Sequence, residues 1–289
     1  MIKKIIQILL LITINSYLLP MKVDRVILST NDNPLYIEFW PLIANAWNNM
    51  RVKPTLALIG DENIRIDESL GDVIRFKPIP GIPTGFQAQV IRLLLPIYFE
   101  EEVCLISDID MLPLNKELLL DVIADIPNDK FVVYNNKLYD CLKNISIYPM
   151  CYNAAKGKTF KEVFKINDPQ QIPQLIKLWY NFSSNLNIDN SFQDKEWAKK
   201  IIWLTDERML AEYLHSWNNY ESRCLKLDYT FDRLIDRSNW QYDVNLAKNN
   251  FYREAHLPRP YRNFENKKKI DQLLIDANLE HLIYSRKKL

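Results

Sequence analysis

Two aspartates two residues apart, Asp108 and Asp110, stand in the stretch VCLISDIDMLPL that runs from Val103 to Leu114. Val103, Leu105 and Ile106 form a short apolar run that predicts a buried strand. The chain then turns polar at Ser107. Carboxyl ends of strands in open α/β sheets face the ligand crevice. Two carboxylates held that close repel, and each raises the other's pKa unless a cation relieves them. Hard carboxylate oxygens suit Mg2+ or Mn2+, which is the chemistry this spacing points to. Two solvated acids in a turn are the plain alternative.

Composition narrows what such a pair serves. The chain has 289 residues, 48% apolar and 25% charged, enough for one large domain with a proper core. A formal net charge of +1 leaves no electrostatic footprint for nucleic acid. Only five glycines occur, Gly60, Gly71, Gly81, Gly85 and Gly157, and no phosphate-cradling glycine motif can be built from them. A phosphorylated ligand would therefore need metal and cationic side chains to neutralise it. Cys104, Cys141, Cys151 and Cys224 show no zinc spacing. They read as buried thiols in a reducing compartment, or as unpaired ones in a lumenal compartment.

The elements that must position the pair alternate. Val26 to Leu28 predicts a first strand, followed by a helix capped by Asp32 or Asn33 and running to about Trp47. Strands over Pro54 to Ile59 and Gly71 to Phe76 come next, then the loop PIPGIPTG and a helix from Phe86 to Tyr98 carrying Gln87, Gln89 and Arg92. After the acid-pair strand, the pattern predicts a helix Lys116 to Ala124 and strands Phe131 to Tyr134 and Tyr148 to Gly157. Helices are expected over Pro169 to Phe182 and Phe192 to Leu204, with Trp179, Trp197 and Trp203 in the core. Thr205 is expected to cap a helix ending near Trp217. A strand Cys224 to Leu227 and a last helix from Lys267 to about Tyr284 follow. Such alternation predicts an α/β fold with a mixed, mainly parallel sheet flanked by helices.

Residues 1–20 differ from the rest. Lys3 and Lys4 precede an apolar run, Ile5 to Leu19, shorter than the ~20 residues of a comfortable spanning helix. This leader reads as a signal-anchor or signal peptide, giving membrane contact through residues 5–19. Alternatively translation starts at Met21 and the protein is cytoplasmic. The domain proper is then residues 21–289. Sequons at Asn144 and Asn181 matter only in a lumenal setting.

The run from Gln87 through Gln89 and Arg92 to LISDIDMLPL resembles the core of GT-A-fold, nucleotide-sugar-dependent glycosyltransferases, most closely the glycogenin-like family 8. The resemblance covers roughly residues 23–262 and implies a Rossmann-like GT-A sheet. It assigns Asp110 as the firmest ligand of Mn2+ (or Mg2+), with Asp108 touching metal or ribose. His256, in REAHLPRPYRNF, resembles the late histidine that supplies a third metal ligand. Arg259, Pro260 and Tyr261 resemble the basic-Pro-aromatic element that holds the diphosphate, with Arg262 as a second basic candidate. The sequence departs there: no glycine, a shorter spacing, and arginine and tyrosine for the usual lysine and tryptophan. TDERML matches the acidic element facing the acceptor, which makes Asp206 and Glu207 the catalytic candidates; acids in a first helical turn also complement the helix dipole. Ser29, Thr30 and Asp32 fall where the family's first loop meets the nucleobase. Asn153 and Lys156 end a strand beside the expected sugar pocket.

The expected function is transfer of a sugar from a nucleoside-diphosphate sugar, UDP-sugar being favoured by the resemblance, to a hydroxyl acceptor. Two rivals stand beside it. One is a non-catalytic carbohydrate- or partner-binding module on the same scaffold. The other is a D-x-D phosphohydrolase, which carries its pair on the first strand; here three strands precede it.

Overall fold

Fully buried apolar runs form the middle of a seven-stranded sheet. The computed structural model describes residues 19–135, 137, 147–184, 203–228 and 231–285. β1 (Arg25–Asn31), β2 (Lys53–Ile59), β3 (Asp72–Phe76), β4 (Val103–Ile106), β6 (Phe131–Val133), β7 (Asn153–Lys156) and β8 (Cys224–Lys226) lie in the order β3-β2-β1-β4-β7-β6-β8. All pairings are parallel except those of β7, which runs against both β4 and β6. The mixed, mainly parallel sheet expected from the sequence is present.

Alternation along each strand divides the core into two. Val26, Leu28 and Leu105 face one apolar cluster, built with α2 (Trp40–Asn49) and α10 (Phe264–Asp276). Ile27, Cys104 and Ile106 face the other, built with α3 (Thr84–Leu94), α5 (Gly157–Phe164), α6 (Ile172–Ser184) and α7 (Thr205–His215). Both faces are covered, which is why the strands read as continuous apolar runs. At Gly157 a Cβ would stand 2.2 Å from Pro96 O and 2.3 Å from Phe99 O, so the chain approaches there as only glycine allows.

A second sheet carries half of the site. β5 (Met111–Pro113), β9 (Leu234–Ile235) and β10 (Glu254–His256) form it in the order β5-β10-β9. The REAH stretch, expected to be irregular, is therefore strand.

Several helices are shorter than the periodicity suggests. The first splits into α1 (Pro34–Ile37) and α2, because Pro41 lacks an N–H and starts a helix better than it continues one. α3 ends at Leu94 and a 3-10 stretch Leu95–Phe99 containing Pro96 follows. α4 (Lys116–Leu119) gives way to a 3-10 turn Asp121–Ile123. A short α8 (Tyr220–Arg223) precedes β8, and α9 (Val244–Lys248) precedes β10. The last helix begins at Phe264 and breaks after Asp276, where Asn278 takes a left-handed φ of 57°, before α11 (His281–Ser285). Of the expected strand Tyr148 to Gly157, only β7 is strand. Trp179 is core, 1% exposed, but Trp203 is 57% exposed. Trp197, Cys141, Asn144 and most of the expected Phe192–Leu204 helix lie outside the described residues.

The chain enters the fold at Leu19, whose carbonyl accepts from Asn128 N at 2.9 Å, and Met21 N donates to Ile126 O at 2.7 Å. Among the described residues no helix is long and apolar enough to cross a membrane. Nearly all of the apolar leader lies outside them.

Candidate active site

The carboxyl end of β4 opens onto a cavity of about 590 Å3 whose wall includes Arg92, Asp108, Asp110, Asp206, Glu207 and His256. A smaller one of about 220 Å3 adjoins it, lined by Ser29, Thr30 and Asn31 at the end of β1. Tyr36, Gln89 and Trp203 border both. Most of the residues singled out in the sequence thus meet in one place.

The acid pair sits in the turn between β4 and β5. Ser107 N donates to Ile27 O at 3.0 Å, which carries the sheet register into the turn. Asp108 Oδ1 is paired with Arg92. The Asp108 N–H donates to Cys151 Sγ at 3.1 Å, and that thiol donates to Asp108 Oδ2 at 3.1 Å. Burial pushes the Cys151 thiol up, so it remains a donor. Asp110 is 4% exposed, and its Oδ2 receives Arg237 Nη1 at 2.5 Å, with His256 Nε2 at 3.5 Å and Arg259 Nε at 3.6 Å. Burial alone would raise the Asp110 carboxyl; His256, Arg237 and Arg259 outweigh it and hold it at about 2. The expectation of two bare, mutually repelling acids is corrected here. Guanidinium groups already compensate each of them.

Arg92 joins two acids. On α3, Gln89 and Arg92 are three residues apart and face the same way. Arg92 Nη2 donates to Asp206 Oδ2 at 2.8 Å, and Gln89 Nε2 donates to Asp206 Oδ1 at 2.9 Å and to the Trp203 carbonyl. Asp206 also accepts from Glu207 N at 3.0 Å and is 1% exposed. Burial raises its pKa despite Arg92. Glu207 Oε1 accepts from Met150 N at 3.2 Å, fixing the opposite wall. Thr205 is the first residue of α7 rather than its cap; its hydroxyl meets Ser183 Oγ at 2.7 Å.

His256 arrives through strand register. His256 lies opposite Met111 in the antiparallel β5–β10 pair, and Leu257 N donates to Asp110 O at 2.9 Å. On its other side Asp236 Oδ2 lies 3.4 Å from His256 Nδ1. A carboxylate at Nδ1 orients the ring and points Nε2 at the acid turn, 3.5 Å from Asp110 Oδ2. Glu254, two residues before His256 on the same strand face, is buried with Arg253 at 2.6 Å, and both line the cavity.

Other expected residues fall differently. Ser29 and Thr30 line the smaller cavity, but Asp32 is exposed and lines neither, because the chain turns outward into α1, where Asn33 is the cap. Asn153 is fully buried, so it does not face a sugar; its amide donates to Pro149 O and Met150 O at 2.8 Å, bracing the wall from behind. Lys156 reaches Glu101 at 3.6 Å, and Arg262 reaches Glu38 at 3.0 Å. Arg259 lies over the Tyr36 ring at 4.5 Å. The other two histidines are in helices, His215 with Nε2 3.0 Å from Tyr148 Oη and His281 at the start of α11.

Sequence reasoning missed Cys151, Asp236, Arg237 and the Arg253–Glu254 pair. Period-two alternation before His256 would have flagged Glu254. Nothing local marks Asp236 and Arg237, which enter only because β9 pairs with β10.

The residues suit a divalent cation. Among the described residues no three carboxylate, imidazole or thiol groups already stand together as a cage. The cavity wall nevertheless carries six carboxylates (Asp108, Asp110, Asp206, Glu207, Asp236 and Glu254) against three guanidiniums (Arg92, Arg237 and Arg253). Such a surplus of negative charge accepts a dianionic ligand only together with a cation. Hard oxygens from Asp108 and Asp110 and the oriented Nε2 of His256 are the donors that fit.

No family model matches this chain, and no curated protein does. Solved structures similar to it over most of its length include glycosyltransferases. The galactosyltransferase LgtC in complex with donor and acceptor sugar analogs is 10% identical, over 88% of this chain and 95% of that one, with a TM-score of 0.46. An active-site mutant of LgtC is 11% identical, over 86% and 94%, with the same TM-score of 0.46. The glycosyltransferase GlyE of Streptococcus pneumoniae TIGR4 is 14% identical over 92% of this chain but 64% of that one, again at 0.46. At such scores the overlap is loose and assigns no function or residue role to this chain.

Proposed function

We propose that this protein is a metal-dependent glycosyltransferase that moves a sugar from a nucleoside-diphosphate sugar to a hydroxyl acceptor. The observation that carries the reading is the convergence of His256 and Arg259, from the far half of the chain, on Asp110 Oδ2 just past the carboxyl end of β4. Asp108, Asp110 and His256 would hold Mn2+ or Mg2+, which when bound neutralises the diphosphate and the charge on the departing nucleotide. UDP-sugar is the donor to which the sequence resemblance points.

The chain's own groups then divide the work. Ser29 and Thr30 line the smaller cavity, the place for the nucleoside. Arg259, held over Tyr36, adds positive charge at the diphosphate. Arg92 fixes Asp108 on one side and Asp206 on the other, so Asp206 acts as a positioning carboxylate with both oxygens engaged. Glu207, beside it on the cavity wall, is the carboxylate assigned to the reacting sugar and acceptor. The phosphohydrolase reading is disfavoured, since β1, β2 and β3 all precede β4, whose end carries the acid pair. We further propose residues 5–19 as a membrane contact, ending where Leu19 joins the fold.

Thermal unfolding with a panel of nucleoside-diphosphate sugars tests the binding half. A ligand that binds only native protein stabilises it by about 2.7 kcal/mol at 100 times its Kd. One donor should raise the midpoint in Mn2+ and lose that effect in chelator. No shift with any donor contradicts the reading.

A further inference from the structure

Two guanidiniums and an imidazole crowd one oxygen of Asp110. Arg237 Nη1 donates to Oδ2 at 2.5 Å, while His256 Nε2 and Arg259 Nε stand 3.5 and 3.6 Å away. Two guanidiniums thus share this one oxygen, while Asp236 adds the second carboxylate of the corner from the far side of His256. The two arginines are not equivalent. Arg259 is anchored independently, its guanidinium 4.5 Å from the centre of the Tyr36 ring. Arg237 opens a single 3-10 turn, Arg237–Asn239, and reaches into the cavity with its side chain 27% exposed.

A hard cation such as Mg2+ bonds a carboxylate oxygen at about 2.0–2.1 Å and repels a guanidinium on the same atom. Arg237 and a metal therefore compete for Asp110. A displaced Arg237 would face the same cavity, where a fork of N–H donors matches the oxygens of a diphosphate.

We propose that Arg237 is a two-position arginine: it holds Asp110 while no cation is bound, and turns to the donor diphosphate when one is. This rests on the metal and diphosphate reading given above. It makes cation and nucleotide binding mutually reinforcing, because the cation frees Arg237 for the diphosphate and the diphosphate draws Arg237 off the acid the cation needs. Such coupling is reciprocal by linkage.

The test is calorimetric, with Mn2+ alone and then UDP in saturating Mn2+, on wild type, Arg237→Leu and Arg259→Leu. Removing Arg237 should tighten Mn2+ binding by at least about fivefold and weaken UDP by about tenfold or more, the scale of a charge-assisted hydrogen bond. Arg259→Leu removes the same charge but should tighten Mn2+ by no more than about twofold, since Arg259 is held elsewhere. A thermal melt establishes that each variant is folded, and Arg237→Gln replaces Arg237→Leu if the latter is not. Unchanged or weaker Mn2+ binding without Arg237 overturns the proposal. So does unchanged UDP affinity, or equal tightening at both arginines, which would be a general charge effect. Wild type that binds neither Mn2+ nor UDP instead overturns the reading beneath it.

Discussion

His256 Nε2 lies 3.5 Å from Asp110 Oδ2 because His256 pairs with Met111, the residue after Asp110, across β5 and β10. Backbone register, not a flexible loop, sets that distance. A one-residue slip would turn His256 to the other face. Asp236, 3.4 Å from Nδ1, then fixes the ring.

Replacing Asp236 by Ala should lower Mn2+ affinity by about 10- to 100-fold, the usual effect of losing a group that orients a ligating histidine. Calorimetric titration of Mn2+ checks it, with a melt to show the fold persists. Unchanged affinity would mean that Asp236 serves only to accept from Ser238.

Arg92 and Asp206 form an ion pair at 2.8 Å with Asp206 1% exposed. Arg92 is itself buried between two acids, so its loss reaches the fold as well as the crevice. Arg92→Leu should cost about 3–5 kcal/mol, because it strands a buried carboxylate. Arg92→Leu with Asp206→Leu should recover much of that loss, since no unpaired charge remains. Urea unfolding of the two single variants and the double variant measures the coupling.

Cys151 holds Asp108 at two points, accepting from its N–H and donating to its Oδ2. Cys151→Ser keeps both polar partners and should retain Mn2+ binding, while Cys151→Ala removes them. The alanine variant should lose at least about tenfold in Mn2+ affinity at a cost in stability of about 1–3 kcal/mol. Equal affinities in the two variants would assign the thiol to packing.

How much of this was legible depended on the range over which each signal acts. The central strands were readable because burial on both faces leaves unbroken apolar runs such as Val26–Leu28. Asp108, Asp110 and Arg92 were readable because strand, turn and preceding helix are local. Asp236 and Arg237 were not, since a two-residue strand, Leu234–Ile235, leaves almost no periodic trace. Trp203 misled because helical periodicity cannot tell a core face from a cavity rim. Asn153 misled in the opposite sense: a polar residue at a strand end turned inward to brace backbone carbonyls. The idea that Asp108 and Asp110 repel each other overlooked cations arriving from distant segments.

Those cations determine what Asp110→Asn should do to stability. The native carboxyl titrates at about 2, below the ~3.9 of an unfolded aspartate. Its stabilising contribution is therefore present above about pH 4 and is lost as pH falls toward 2. Wild type should lose stability across that window, on the order of 2 kcal/mol for this group, and Asp110→Asn should lose less there while starting lower at pH 7. Unfolding midpoints between pH 2 and 7 compare the two.

Metal-dependent sugar transfer is decided by release of nucleoside diphosphate from a panel of nucleoside-diphosphate sugars, measured for wild type and Asp110→Asn at pH 7, each with Mn2+ and with chelator. Both proteins must first show cooperative unfolding well above the assay temperature. Wild type should turn over at least one donor only with the cation present, and Asp110→Asn should lose that turnover by about 100-fold or more. A wild type that turns over none of the donors would contradict metal-dependent transfer, as would a variant that keeps cation-dependent turnover.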